Sequence, residues 1–149
     1  MGRQNSSKGR RFPQAPRGPV NTLLTVPTPY RWTVCLLFVG LVVALSLAPG
    51  VARPGDSIFV WIVTNTATPV QKLMHVIVYA VLALLWVWTL QTIESAVSRF
   101  GLALTIAVGL GALLEWYQTQ VPGRFGTVGD VLLDLAGSLI GLLAAFLLL

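Results

Sequence analysis

Residues 131–149 read VLLDLAGSLIGLLAAFLLL, an apolar run interrupted by one carboxylate, Asp134, and by a few small residues. A hydrocarbon core of about 30 Å takes roughly 20 apolar helical residues to cross, with about 17 as the lower limit. The run therefore spans a bilayer as a helix. Three more stretches approach or reach that length: Thr33–Ala48, Leu73–Leu90 and Phe100–Tyr117. None alternates apolar with polar residues, so strands are not indicated. Thr33–Ala48 is the shortest, and Tyr30 and Trp32 extend it into the interface. The expected fold is an all-α membrane protein, a bundle of four transmembrane helices.

Composition agrees. Only 10% of the 149 residues are charged, against about 25% in soluble domains. Hydrophobic residues make up 55%, and the mean hydropathy is +0.78. A soluble chain of this size needs more polar residues to cover its surface, which excludes a soluble enzyme and a disordered chain. The pI near 10.2 does not indicate nucleic-acid binding. Six of the ten basic residues (Arg3, Lys8, Arg10, Arg11, Arg17 and Arg31) precede residue 32, and the remainder holds four basic and five acidic residues. The single cysteine, Cys35, allows no internal disulfide and no cysteine metal cluster.

Residues 1–31 are read as a disordered, basic, cytoplasmic tail rich in Pro, Gly and Ser, and residues 32–149 as the membrane domain. Ser46-Leu47-Ala48 loosely resembles a signal cleavage site. Pro49 follows at once and the basic region is long for a signal, so an uncleaved anchor is favoured. The positive-inside rule puts the N-terminus in the cytoplasm, and four crossings return the C-terminus there. Pro49–Lys72 and Gln118–Asp130 then face outward. Trp86 and Trp88 are expected in the inner interfacial belt, Trp116 and Tyr117 in the outer one. Between Pro49 and Lys72, Asp56-Ser57 is placed to cap a short apolar piece, Ile58–Val63, too short to span.

A charge at mid-bilayer costs about 2.5–3.5 kcal/mol on insertion scales, so ionisable residues inside spans need a reason. Lys72, His75 and Tyr79 fall on one face of the second helix. Glu115 and Gln118 share a face of the third with Ala107 and Gly111. Asp130 and Asp134 share a face of the fourth with Gly137 and Gly141. With Arg124 in the short loop between, all are delivered to the outer end of the bundle, which is expected to open there as an outward-facing polar pocket. The small residues let the backbones approach closely below it.

Lys72-x-x-His75-x-x-x-Tyr79, then Glu115-x-x-Gln118-x-x-x-Pro122-x-Arg124-x-x-Thr127-x-x-Asp130, then Gly137-x-x-x-Gly141, resemble the VanZ-like family of bacterial integral membrane proteins over roughly residues 33–149. Two positions depart from the pattern: Gln71 stands where the family usually has Asp, and Asp134 where it usually has Asn. The resemblance implies a cell-envelope role and a link to low-level resistance to the glycopeptide teicoplanin. It does not imply a reaction.

Several roles stay open from the residues themselves. His75, the only histidine, ordinarily titrates near neutral pH; it is either an acid–base group or a neutral helix-to-helix link. Glu115 is the best partner for it in catalysis, or else an ion pair for Lys72 or Arg124. Arg124 suits a phosphate or carboxylate through its planar fork, or pairs with Asp130. Asp130 lies three residues after Thr127, the spacing of a helix capping box. Lys72, Tyr79, Gln118, Arg124, Asp130 and Asp134 are the candidate binding residues. No metal and no cofactor is expected, because one histidine with scattered acids is a poor ligand set by spacing. The expected partners are membrane lipid and a lipid-linked cell-wall precursor or glycopeptide. An envelope enzyme and a structural subunit are the competing readings.

Overall fold

A computed structural model describes residues 25–149. Most of the expected tail lies outside these residues. Five α-helices follow one another: α1 (Thr28–Leu47), α2 (Ile58–Asn65), α3 (Thr68–Thr89), α4 (Ala96–Gln118) and α5 (Val128–Leu148), with one 3₁₀ turn, Leu90–Thr92, after α3. Four of them are long and apolar enough to cross a membrane. The chain is a multi-pass, all-helical membrane protein.

Each spanning helix starts earlier than its apolar run. The starts are Thr28 rather than Thr33, Thr68 rather than Leu73, Ala96 rather than Phe100 and Val128 rather than Val131. The physical reason is local. α1 and α3 open on Thr-Pro, whose ring fixes a helical φ where the lost N–H is not needed. α2, α4 and α5 open on Ser57, Ser95 and Thr127, whose hydroxyls accept the N–H groups of Val60, Ser98 and Asp130. These signals sit in polar flanks that a hydropathy reading leaves out. Asp56 instead accepts the Arg53 N–H at 2.6 Å, closing the turn before α2.

The early start of α1 corrects the tail boundary at residue 31: Thr28–Arg31 is helical. Arg31 itself is buried. Its Nη1 donates to the Gln91 side chain at 2.7 Å and to the Trp88 carbonyl at 3.4 Å. Its guanidinium lies over the Trp88 ring. A cation at the C-terminal end of α3 also complements that helix's dipole. The expected inner aromatic belt is corrected by the same contacts. Trp86 and Trp88 are buried in the bundle, Trp86 edge-on to Trp32, because each has an α1 partner. Trp116 and Tyr117 are exposed to the surroundings, as a belt requires.

Helix α3 is the centre. It contacts α1, α4 and α5, and its face Tyr79, Leu82, Ala83, Trp86 and Val87 is buried with Cys35, Val42, Ala103, Ala107, Leu114 and Ala145. Its closest neighbour is α5. A Cβ on Gly137 would run into the Val76 carbonyl, and one on Gly141 into the Ala80 carbonyl. The Gly-xxx-Gly pair thus lets two backbones touch, and dispersion over that contact substitutes for the hydrophobic drive that lipid removes. Gly141→Leu should therefore force α5 off α3. We expect a loss of about 1–3 kcal/mol or more, read as a lower thermal unfolding midpoint in detergent micelles.

Candidate functional site

The polar side chains meet where α1 and α4 end and α3 and α5 begin. His75 lies in the second turn of α3, Glu115 in the last turn of α4 and Asp134 in the second turn of α5. His75 Nδ1 is 2.7 Å from Asp134 Oδ1, and His75 Nε2 is 3.9 Å from Glu115 Oε1. An ionised carboxylate only accepts, so Asp134 selects the tautomer protonated at Nδ1 and leaves Nε2 facing Glu115. The His75 side chain is 26% exposed, while those of Glu115 and Asp134 are 5% and 0% exposed. The imidazole is therefore the accessible member of a buried group. Tyr79, one turn below, is buried with its ring parallel to His75.

Asp134 fits because Gly111 lacks a side chain: a Cβ there would strike Asp134 Oδ2 and press on the Tyr79 ring. Gly111 and Glu115 are one turn apart on α4. The free oxygen of Asp134 thus points at the helix face that also carries Glu115. No described residue donates to it, nor to the hydroxyl of Ser138, one turn further along α5.

Glu115 has a second task. Its Oε2 accepts the Thr127 N–H at 3.0 Å. Thr127 caps α5 by accepting the Asp130 N–H at 3.1 Å and donates its own proton to Asp130 Oδ2 at 2.7 Å. In a capping box the third residue reaches back to the cap's N–H. Here Glu115, from another helix, makes that bond and ties the end of α4 to the start of α5. Gly126 permits it, since a Cβ there would strike the Glu115 carbonyl.

Arg124 follows the Pro122-Gly123 turn, where Gly123 adopts a φ of +80°, a conformation open to glycine at little cost. Arg124 does not pair with Asp130. Its Nε donates to the Ala48 carbonyl at 3.0 Å and its Nη2 to the Leu45 carbonyl at 3.1 Å. It closes the C-terminus of α1, where carbonyls lack helical partners. Burial pushes its guanidinium down from the usual range, and the Glu115 carboxylate pulls it back up. The pairing of Glu115 with Lys72 or Arg124 is not found either. Among the described residues, Glu115 and Asp134 form ion pairs only with His75. Lys72 is exposed, one turn before His75 on α3, and lines the same cavity.

A cavity of about 370 Å³ lies above these groups, with Lys72, His75, Gln118, Arg124, Thr127 and Asp130 on its walls and Pro49, Gly50 and Thr64 beside them. A second, more apolar cavity of about 340 Å³ lies between α1, α2 and α3, against Val42, Leu45, Ile62, Met74, Val78 and Tyr79. His75, Gln71, Gln118 and Arg124 border both. Residues 22–149 match the VanZ/LLP1 family. The chain belongs to that family. No curated protein and no solved structure matches it.

The VanZ/LLP1 chain thus brings His75, Glu115 and Asp134 together, with Tyr79 against the imidazole. It places Lys72, Gln118, Arg124 and Asp130 around the cavity above them. Sequence reasoning missed the His75–Asp134 bond, the Glu115 bond to the Thr127 amide, and Ser138, which the four-residue step from Asp134 placed on the same face.

Two substitutions separate these roles. Asp134→Ala should leave the His75 Nδ1–H unpaired and cost about 3 kcal/mol, measured by thermal unfolding in micelles, while Asp134→Asn should cost less. Arg124→Lys keeps a cation but loses the two-carbonyl fork; hydrogen exchange near residues 45–50 should accelerate, with the rest of the bundle unaffected.

Proposed function

We propose that this VanZ/LLP1 protein sits in the bacterial cell membrane with both termini cytoplasmic and binds an anionic head group at the outer leaflet. The ligand class is a lipid-linked cell-wall precursor or a glycopeptide, which connects the protein to glycopeptide (teicoplanin) resistance. The observation that carries the reading is the shared wall of the two cavities. A polar space and an apolar one meet at His75, which suits a molecule with a charged head and a hydrocarbon tail. Lys72, exposed and on the polar wall, meets the anion. Gln118, whose amide has no hydrogen bond to a described residue, supplies neutral contacts, and Arg124 holds the wall in place.

A second reading, acid–base catalysis on the same head group, is favoured by one feature. Asp134 orients the imidazole and Glu115 faces its other nitrogen, as in sites where a carboxylate positions a histidine base.

Native mass spectrometry of the purified protein, with lipid analysis, tests the first reading. An anionic envelope lipid should co-purify, and Lys72→Ala should weaken its retention by about tenfold, the value of one charged hydrogen bond. Retention unchanged in both Lys72→Ala and His75→Gln would sink it. In the catalytic reading, His75→Gln and Glu115→Gln abolish the cellular phenotype at an undiminished membrane level. Reporter fusions check the orientation, and an external C-terminus would refute it.

A further inference from the structure

The two buried acids behind His75, which lines the cavity, share that one histidine as their partner. Glu115 and Asp134 are both buried, and among the described residues each finds only the imidazole as a counter-ion. Lys72 and Arg124 do not reach them. Removing a carboxylate from water without a partner costs several kcal/mol. Asp134 Oδ2 has no donor among the described residues, although its side chain is fully enclosed. It points toward Gly111, on the α4 face that carries Glu115 one turn away. A cation among these groups satisfies both the charge and the orphaned oxygen.

We infer that His75, Glu115 and Asp134 form a binding site for a divalent transition cation, entered from the polar cavity. One donor atom from each residue lies within 4.8 Å of the others. Ligand bonds of about 2.0–2.2 Å around a single ion require somewhat shorter separations, so binding would draw the imidazole, 26% exposed, and the two carboxylates together. One imidazole nitrogen with two carboxylates is a mixed set: carboxylates suit Mn²⁺ and imidazole suits Zn²⁺, whereas Mg²⁺ favours oxygen ligands alone. Linear spacing gave no hint of this set, because its three members come from three helices. Three protein ligands leave coordination positions for an oxygen from the cavity, such as a phosphate oxygen. The site does not depend on the head-group reading. Metal binding without lipid retention would overturn only that reading, and lipid retention without metal only this one.

The test uses the full-length protein in nanodiscs, with Mn²⁺ followed by electron paramagnetic resonance and Zn²⁺ as competitor. About one Mn²⁺ should bind per chain and be displaced by Zn²⁺ but not by equimolar Mg²⁺. His75→Gln, Asp134→Asn and Glu115→Gln should each weaken binding at least about tenfold. Glu94→Gln, an exposed carboxylate at the far end of the bundle, should leave it unchanged. Glu115→Gln keeps an amide oxygen for the Thr127 N–H and so tests ligation with the α4–α5 tie preserved. Thermal unfolding confirms that each variant is folded. Absence of stoichiometric Mn²⁺ or Zn²⁺ binding to the wild-type chain overturns the inference, as does unchanged affinity in folded Glu115→Gln and Asp134→Asn.

Discussion

A carboxylate with no exposed surface in a membrane bundle must be satisfied by the bundle itself. Asp134 meets that constraint in part: its Oδ1 lies 2.7 Å from His75 Nδ1 on a neighbouring helix, while its Oδ2 finds no donor among the described residues. The rest of the architecture accommodates this contact. Gly111 clears space for the carboxylate, and Gly137 and Gly141 bring α5 against the α3 backbone. Glu115, on the other side of the imidazole, anchors the loop from which α5 starts. Loss of the small residues would separate the helices that the polar contact joins. Loss of the polar contact would leave a buried charge that close packing cannot relieve.

Helix α1 depends on a different device. It is the least buried of the four spans, and lipid offers no hydrophobic reward for docking it. An arginine holds each end. Near its start, Arg31 reaches from α1 to the carbonyl of Trp88 and the side chain of Gln91. At its finish, Arg124 reaches from the loop before α5 to two terminal carbonyls of α1. Guanidinium suits both places because its fork serves more than one acceptor at once. Both residues were legible as basic positions near span ends. Their partners were not, since Trp88 and Gln91 are far from Arg31 in sequence and Ala48 and Leu45 far from Arg124.

The faces of the helices were readable residue by residue. Ala107, Gly111, Glu115 and Gln118 share a buried face of α4, and Asp134, Gly137 and Gly141 one of α5, because 100° per residue is a local property. The helix starts were readable too, in the Thr-Pro pairs and the Ser and Thr caps, but apolar length alone points several residues too late. Which charge meets which was not readable. Arg124 binds backbone instead of Asp130, and Glu115 binds the Thr127 amide and faces His75 instead of Lys72. Charge pairing depends on rotation and depth between helices, which no single helix encodes.

Hydropathy by itself determined that residues 25–149 hold four helices long and apolar enough to cross a membrane, and spacing determined which residues each helix turns inward. Both follow from forces acting within one segment: backbone hydrogen bonds that must close internally in lipid, and a fixed helical period. The tertiary structure alone decided that one histidine from α3 stands between two acids from α4 and α5, and that a polar and an apolar cavity share its side chain. Those outcomes rest on how closely α5 approaches α3, which Gly137 and Gly141 permit but only the packed bundle realises.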